Sequence, residues 1–124
     1  PFYQKDAADN EANIRYLVLN DDYTLEGVQL INNGGIASEG TNNLSISIAG
    51  NDGVTAAFTL TTDSGESDAQ AITDGVAANF VDEKTGKANY VAGTKIKLTI
   101  TKANSGKPLD CAIVLKLMPA RSYA

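Results

Sequence analysis

The sequence predicts an all-β domain, an antiparallel β-sandwich or jelly-roll-like fold of six to eight short strands with at most one short helical turn. Three observations predict it. Apolar and polar residues alternate with period two, most clearly where Leu44, Ile46 and Ile48 face away from Ser45 and Ser47, and where Ile96, Leu98 and Ile100 alternate with Lys95, Lys97, Thr99 and Thr101. Turn clusters rich in Gly, Asn and Asp recur about every ten residues. No segment reads as a helix long enough to cross over a parallel sheet.

Residues 1–12, with Asp6, Asp9, Asn10 and Glu11, read as a polar N-terminal arm, and residues 13–124 as a single β-sandwich domain. Ile14–Leu19 is a strand with apolar residues on one phase (Ile14, Tyr16, Val18) and again at Leu17 and Leu19, followed by a turn at Asn20-Asp-Asp. Gly27–Ile31 is a short strand ended by Asn32-Asn-Gly-Gly. Asn43–Ala49 and Val54–Thr61 flank Gly50-Asn-Asp-Gly and form a β-hairpin.

Residues 63–93 are less regular. Asp63–Asp68 is a polar loop, and Ser67 can cap one helical turn that Gly75 soon stops. Phe80 and Val81 anchor a further short strand before a turn at Asp82–Gly86. The segments 95–102 and 109–118 read as a second hairpin across the Gly/Pro loop 103–108. In the closing strand Leu109, Cys111, Ile113, Leu115 and Leu117 alternate, yet Ala112, Val114 and Met118 make the opposite face apolar as well. A strand apolar on both faces is either central in a layered core or covered by another molecule.

Composition narrows the function. A chain of 124 residues, 43% hydrophobic and 20% charged, is one domain with enough core to fold without disulfides or a metal. A net charge of -5 with a pI near 4.5 argues against nucleic acid or anionic membrane as a partner. The lysines Lys84, Lys87, Lys95, Lys97, Lys102 and Lys107 are spread over strand faces and loops and form no run. No stretch approaches the roughly 20 apolar residues of a membrane helix, and Pro1–Asp6 has no signal-peptide character. One cysteine, Cys111, permits no intramolecular disulfide and fits synthesis in a reducing cytoplasm.

The chain contains no His and no Trp. The usual general base near neutral pH and the commonest zinc ligand are therefore missing, and Ser-His-Asp or Cys-His catalysis cannot be assembled. Cys111 has no His to activate it and reads as a small buried hydrophobe. Asp63, Glu66 and Asp68 offer carboxylates of the kind that hold Ca²⁺, but their spacing does not fit an EF-hand, and a solvated acidic loop is the simpler reading. Asp21 with Asp22, and Asp82 with Glu83, are adjacent acids that point to opposite faces of a strand and suit turns better than hydrolysis. The expectation is a protein that is not an enzyme, with no cofactor and no metal. The terminal aromatics Phe2, Tyr3 and Tyr123 suit either docking onto a partner or folding back onto the sandwich.

Thr41-Asn-Asn-Leu-Ser-Ile-Ser-Ile with its Gly/Asp turn, the Ala92-Gly-Thr-Lys opening, the Ile96–Lys102 strand, and Ser105-Gly-Lys-Pro-Leu-Asp leading into a final apolar strand that ends at Pro119 together resemble the small β-sandwich decoration (cement) proteins of tailed-bacteriophage capsids. The likeness covers residues 41–61 and 92–119. It implies a structural virion protein, made in the host cytoplasm, that binds the major capsid protein on the outer capsid surface at subunit seams. It also implies a homo-oligomer, commonly a trimer, that stabilises the shell against internal DNA pressure. Lys95 and Lys97 then join Phe2, Tyr3 and Tyr123 as candidate partner contacts, meeting acidic capsid loops. The alternative is a phage fibre, tail or adhesin module that binds a host surface or a carbohydrate; the lack of Trp weighs against sugar stacking.

Overall fold

The computed structural model describes residues 12–50, 56–83, 88–103 and 110–119. Among them nine strands and no helix are found: β1 (Ala12–Val18), β2 (Tyr23–Asn32), β3 (Leu44–Ala49), β4 (Ala56–Thr61), β5 (Ala78–Asn79), β6 (Val81–Asp82), β7 (Ala88–Tyr90), β8 (Lys95–Lys102) and β9 (Cys111–Pro119). Every ladder is antiparallel, and the strands form two sheets. The all-β, sandwich-like class expected from the alternation is the observed one. The count exceeds the expected range because two-residue strands flank Phe80, too short to announce themselves as separate runs.

One sheet has the order β1-β8-β3-β4-β6. In the other, β9 runs along the whole of β2, so β5 and β7 must share the opposite edge of β2, one near each end. The chain alternates between the sheets at nearly every connection, and among the described residues β3–β4 is the one sequence-adjacent pair that forms a ladder. At Phe80 it passes from β5 in one sheet to β6 in the other, with the Phe80 amide donating to the Val28 carbonyl at 2.9 Å. That corner joins the sheets at one side. β1 and β9 lie at the ends remote from it, and no strand among the described residues pairs with their outer edges.

The core follows directly from the alternation. Ile96, Leu98 and Ile100 of β8, Leu44, Ile46 and Ile48 of β3, and Phe58 and Leu60 of β4 face Leu25, Val28 and Leu30 of β2 and Cys111 and Ile113 of β9. Each fully buried aliphatic side chain contributes about 1.5–3 kcal/mol over its exposed state. The expected hairpin of residues 43–61 is present as β3 and β4, while its turn lies outside the described residues.

The second expected hairpin does not exist. β8 already has β1 on one side and β3 on the other, so it has no edge to offer β9, which pairs with β2 in the opposite sheet. Both segments aim their apolar phase into one core from opposite sides, a geometry that alternation cannot distinguish from a hairpin. β2 also begins at Tyr23 instead of Gly27. A bulge between Leu25 and Gly27 shifts the phase by one residue, so Leu25 and then Val28, Leu30 and Asn32 all point inward. That slip hid the first half of the strand. Residues 64–69 form hydrogen-bonded turns, with Glu66 and Ala69 amides on the Asp63 and Glu66 carbonyls, and no helix follows at 67–73, where Ser67 could have capped one turn. β1 starts at Ala12, inside the segment read as an arm, and Asp82, read as the first residue of a turn at 82–86, ends β6; the rest of that arm, residues 84–86 of that turn and the loop at 104–108 lie outside the described residues.

Candidate docking surfaces

Register places the outward side chains of the five-stranded sheet. Across from Lys95, Lys97 and Thr99 of β8 stand Val18, Tyr16 and Ile14 of β1, all on the same outward face. Those three are 59%, 58% and 41% exposed. The inward phase of β1 is carried by Leu17, packed against the core, and by Arg15, which stays exposed at the sheet edge and donates to the Ile14 carbonyl at 3.0 Å. An edge strand that packs a single residue, Leu17, against the core and shows three large apolar ones to solvent reverses the usual arrangement. The sequence had carried the signal in Leu17 and Leu19, the second apolar phase, and Leu19 is indeed buried.

Lys95 is exposed and Lys97 half-buried, both beside this apolar row. The other sequence candidates, Phe2, Tyr3 and Tyr123, lie outside the described residues, so Lys95 and Lys97 are the pair whose position is known.

Farther along the same face, hydroxyls form two transverse rows, Thr101–Ser45–Thr61 and Thr99–Ser47–Thr59. They floor an open groove of about 290 Å³ walled by Glu66, Asp68 and Glu83. The Ser45 and Thr61 hydroxyls lie 3.0 Å apart, and Thr59 donates to the Glu83 carboxylate. The loop that supplies Glu66 and Asp68 is held by Asp63, whose carboxylate accepts from the Gly65 amide at 2.9 Å. Asp63 is thus spent on its own turn, apart from the other two acids. Among the described residues no three potential metal-ligating side chains converge.

The adjacent acids are spent similarly. Asp21 accepts from the Asp22 amide and Asp22 from the Ala92 amide, both at 2.8 Å, which fixes the turn before β8 where Gly93 takes φ +87°. Asp82 pairs with Phe58 on the sheet edge, while Glu83 faces the groove. Cys111 is buried; loss of solvent, reinforced by the charge of Asp110, pushes its thiol up to about 11.

The second sheet has its own outward apolar residues. On β9 Ala112, Val114 and Met118 face out opposite Ile31, Gln29 and Thr24 of β2, and Ile31, Val114 and Met118 are 37%, 45% and 44% exposed. Lys116 breaks the row and reaches Glu26 at 3.9 Å. Beside it a cleft of about 500 Å³ opens over the β2 bulge, lined by Gly27, Gln29, Asn79 and Asp82 with Phe58 and Phe80 at its base. Gln29 and Asn79 bridge its wall with a 2.9 Å side-chain hydrogen bond.

The chain matches no family model, no curated protein and no solved structure. The two antiparallel sheets define the class, an all-β sandwich-like domain.

Proposed function

We propose that this chain is a non-enzymatic docking domain of a protein shell, a capsid-decoration protein that seats the outward face of β2 and β9 on coat subunits. The observation that carries the reading is the position of β9. A strand apolar on both faces must be central or covered, and β9 is an end strand that leaves Val114 and Met118 at the surface. The cover is then a partner. The absence of His and the engagement of Asp21, Asp22 and Asp63 in turns also favour binding over catalysis. A domain that binds the assembled shell and not free subunits stabilises it by mass action, and many equal sites add small energies into a large total.

The test is co-sedimentation of the purified protein with mature, DNA-filled heads and with unexpanded procapsids. Saturable binding to mature heads alone, at a fixed ratio to coat protein, is expected. Absence of binding to either particle removes this reading and transfers the search to fibre, tail or adhesin roles. The hydroxyl-lined groove supports that second reading in its carbohydrate form, since rows of hydroxyls flanked by carboxylates suit a polyol; glycan-array binding is its test.

A further inference from the structure

The outer face of the five-stranded sheet is polarised. At one corner the β1 row Ile14, Tyr16 and Val18 runs beside Lys95 and Lys97. At the opposite corner Glu66, Asp68 and Glu83 wall the groove over β3 and β4. The hydroxyl rows lie between them, with Thr99 the partner of Ile14 at the boundary. A basic, apolar end on β1 and β8 and an acidic, concave end over β3 and β4 are complementary to each other between copies.

We infer that two copies of this chain pair face to face through this surface, the Ile14–Tyr16–Val18 and Lys95–Lys97 end of each lying over the Glu66–Asp68–Glu83 groove of the other. A two-fold axis in the plane of the interface turns one end of the face onto the opposite end, so both charge contacts form at once and the pair closes. The apolar row screens each end contact from water, with Tyr16 the anchor because an aromatic with a polar tip suits an interface of mixed character. The chain as a whole repels itself, with a net charge of -5, so association between copies needs local charge complementarity to set its orientation. The pairing is independent of shell docking, which uses the other sheet, and it differs from the trimer that the resemblance implies.

Sedimentation velocity over a concentration series tests the pairing, using Lys95→Glu with Lys97→Glu as one variant and Glu66→Lys with Asp68→Lys as another. These side chains lie on the surface, and circular dichroism verifies that each variant is folded. Wild type is expected to dimerise, and each variant alone is expected to weaken dimerisation by roughly tenfold or more. The decisive measurement is an equimolar mixture of the two. Each then faces a partner of opposite sign at both contacts, and the dimer is expected to return. Tyr16→Ser, which leaves all charges in place, is expected to weaken both the wild-type dimer and the mixed one. A monomeric or trimeric wild type, a dimer insensitive to both charge variants, or a mixture that stays monomeric overturns the proposal.

Discussion

A methyl group placed on Gly50 would stand 2.5 Å from Cε1 of Tyr90. Gly50 follows β3 in one sheet and Tyr90 closes β7 in the other, so the missing side chain lets the aromatic ring lie against the backbone across the sandwich. Gly50→Ala must displace that ring, and overpacking of this kind costs typically about 1–3 kcal/mol. Urea unfolding of the single and double variants measures it. The cost is expected to fall sharply in a Tyr90→Ala background, where the ring is gone; equal costs in both backgrounds would show that the contact is not the cause.

Asn32 is a second joint, polar and buried. Its side chain donates to the Gly34 carbonyl at 2.9 Å and accepts from the Asp110 amide at 3.0 Å, while its carbonyl receives the Gly75 amide at 2.9 Å. One residue ties the end of β2 to the start of β9 and to the loop before β5. Asn32→Ala leaves two part-buried backbone groups without their partner and is expected to destabilise by about 2–4 kcal/mol, since each unmade bond costs about 1–3 and water reaches both groups only in part. Thr62→Val removes only the 3.1 Å bond from the Leu44 amide to the Thr62 hydroxyl and is expected to cost about half as much on the same accounting. Denaturant midpoints for the two variants check the order.

These joints mark the limit of what the sequence discloses. Ile46, Ile48, Leu98 and Ile100 announce their strands because a half-buried strand repeats every two residues. Which strands share a sheet depends on edges, and β8 and β9 show that chain neighbours with matching alternation can be opposite walls of one core. The bulge before Gly27 defeated periodicity locally by shifting its phase. Of the docking surfaces, the doubly apolar β9 and the lysines Lys95 and Lys97 were visible in one dimension. The outward direction of Ile14, Tyr16 and Val18 was not, because only the pairing with β8 decides which of two apolar phases of β1 faces water.

The state of Cys111 gives a pH signature. Burial holds its thiol protonated up to about 11, against an ordinary value of 9.0. The unfolded chain therefore loses this proton first as pH rises. The thiol's contribution to stability is complete below about pH 9 and disappears through about pH 11. Wild type is expected to lose stability relative to Cys111→Ala across that window, by an amount on the order of 2 kcal/mol. Paired unfolding curves at pH 8 and above test the sign. At neutral pH an aromatic disulfide reagent should label Cys111 only at the rate of opening, and rapid labelling of the native protein would contradict its burial.

Neighbours on β9 provide the sharpest contrast between holding the fold and meeting a partner. Ile113 points into the core opposite Leu30, and Val114, one residue on, points out opposite Gln29. Ile113→Ala removes buried methyl groups and leaves a cavity, so a loss of about 2–5 kcal/mol is expected. Val114→Ala is expected to change stability by no more than about 0.5 kcal/mol. On a shell the order reverses. Val114→Lys with Met118→Lys is expected to leave the melting temperature nearly unchanged while sharply reducing occupancy on mature heads, because two charges then stand where the proposed interface excludes water. Occupancy measured by sedimentation against folding measured by calorimetry separates the two roles, and undiminished occupancy by the folded double variant would move the shell contact off β9.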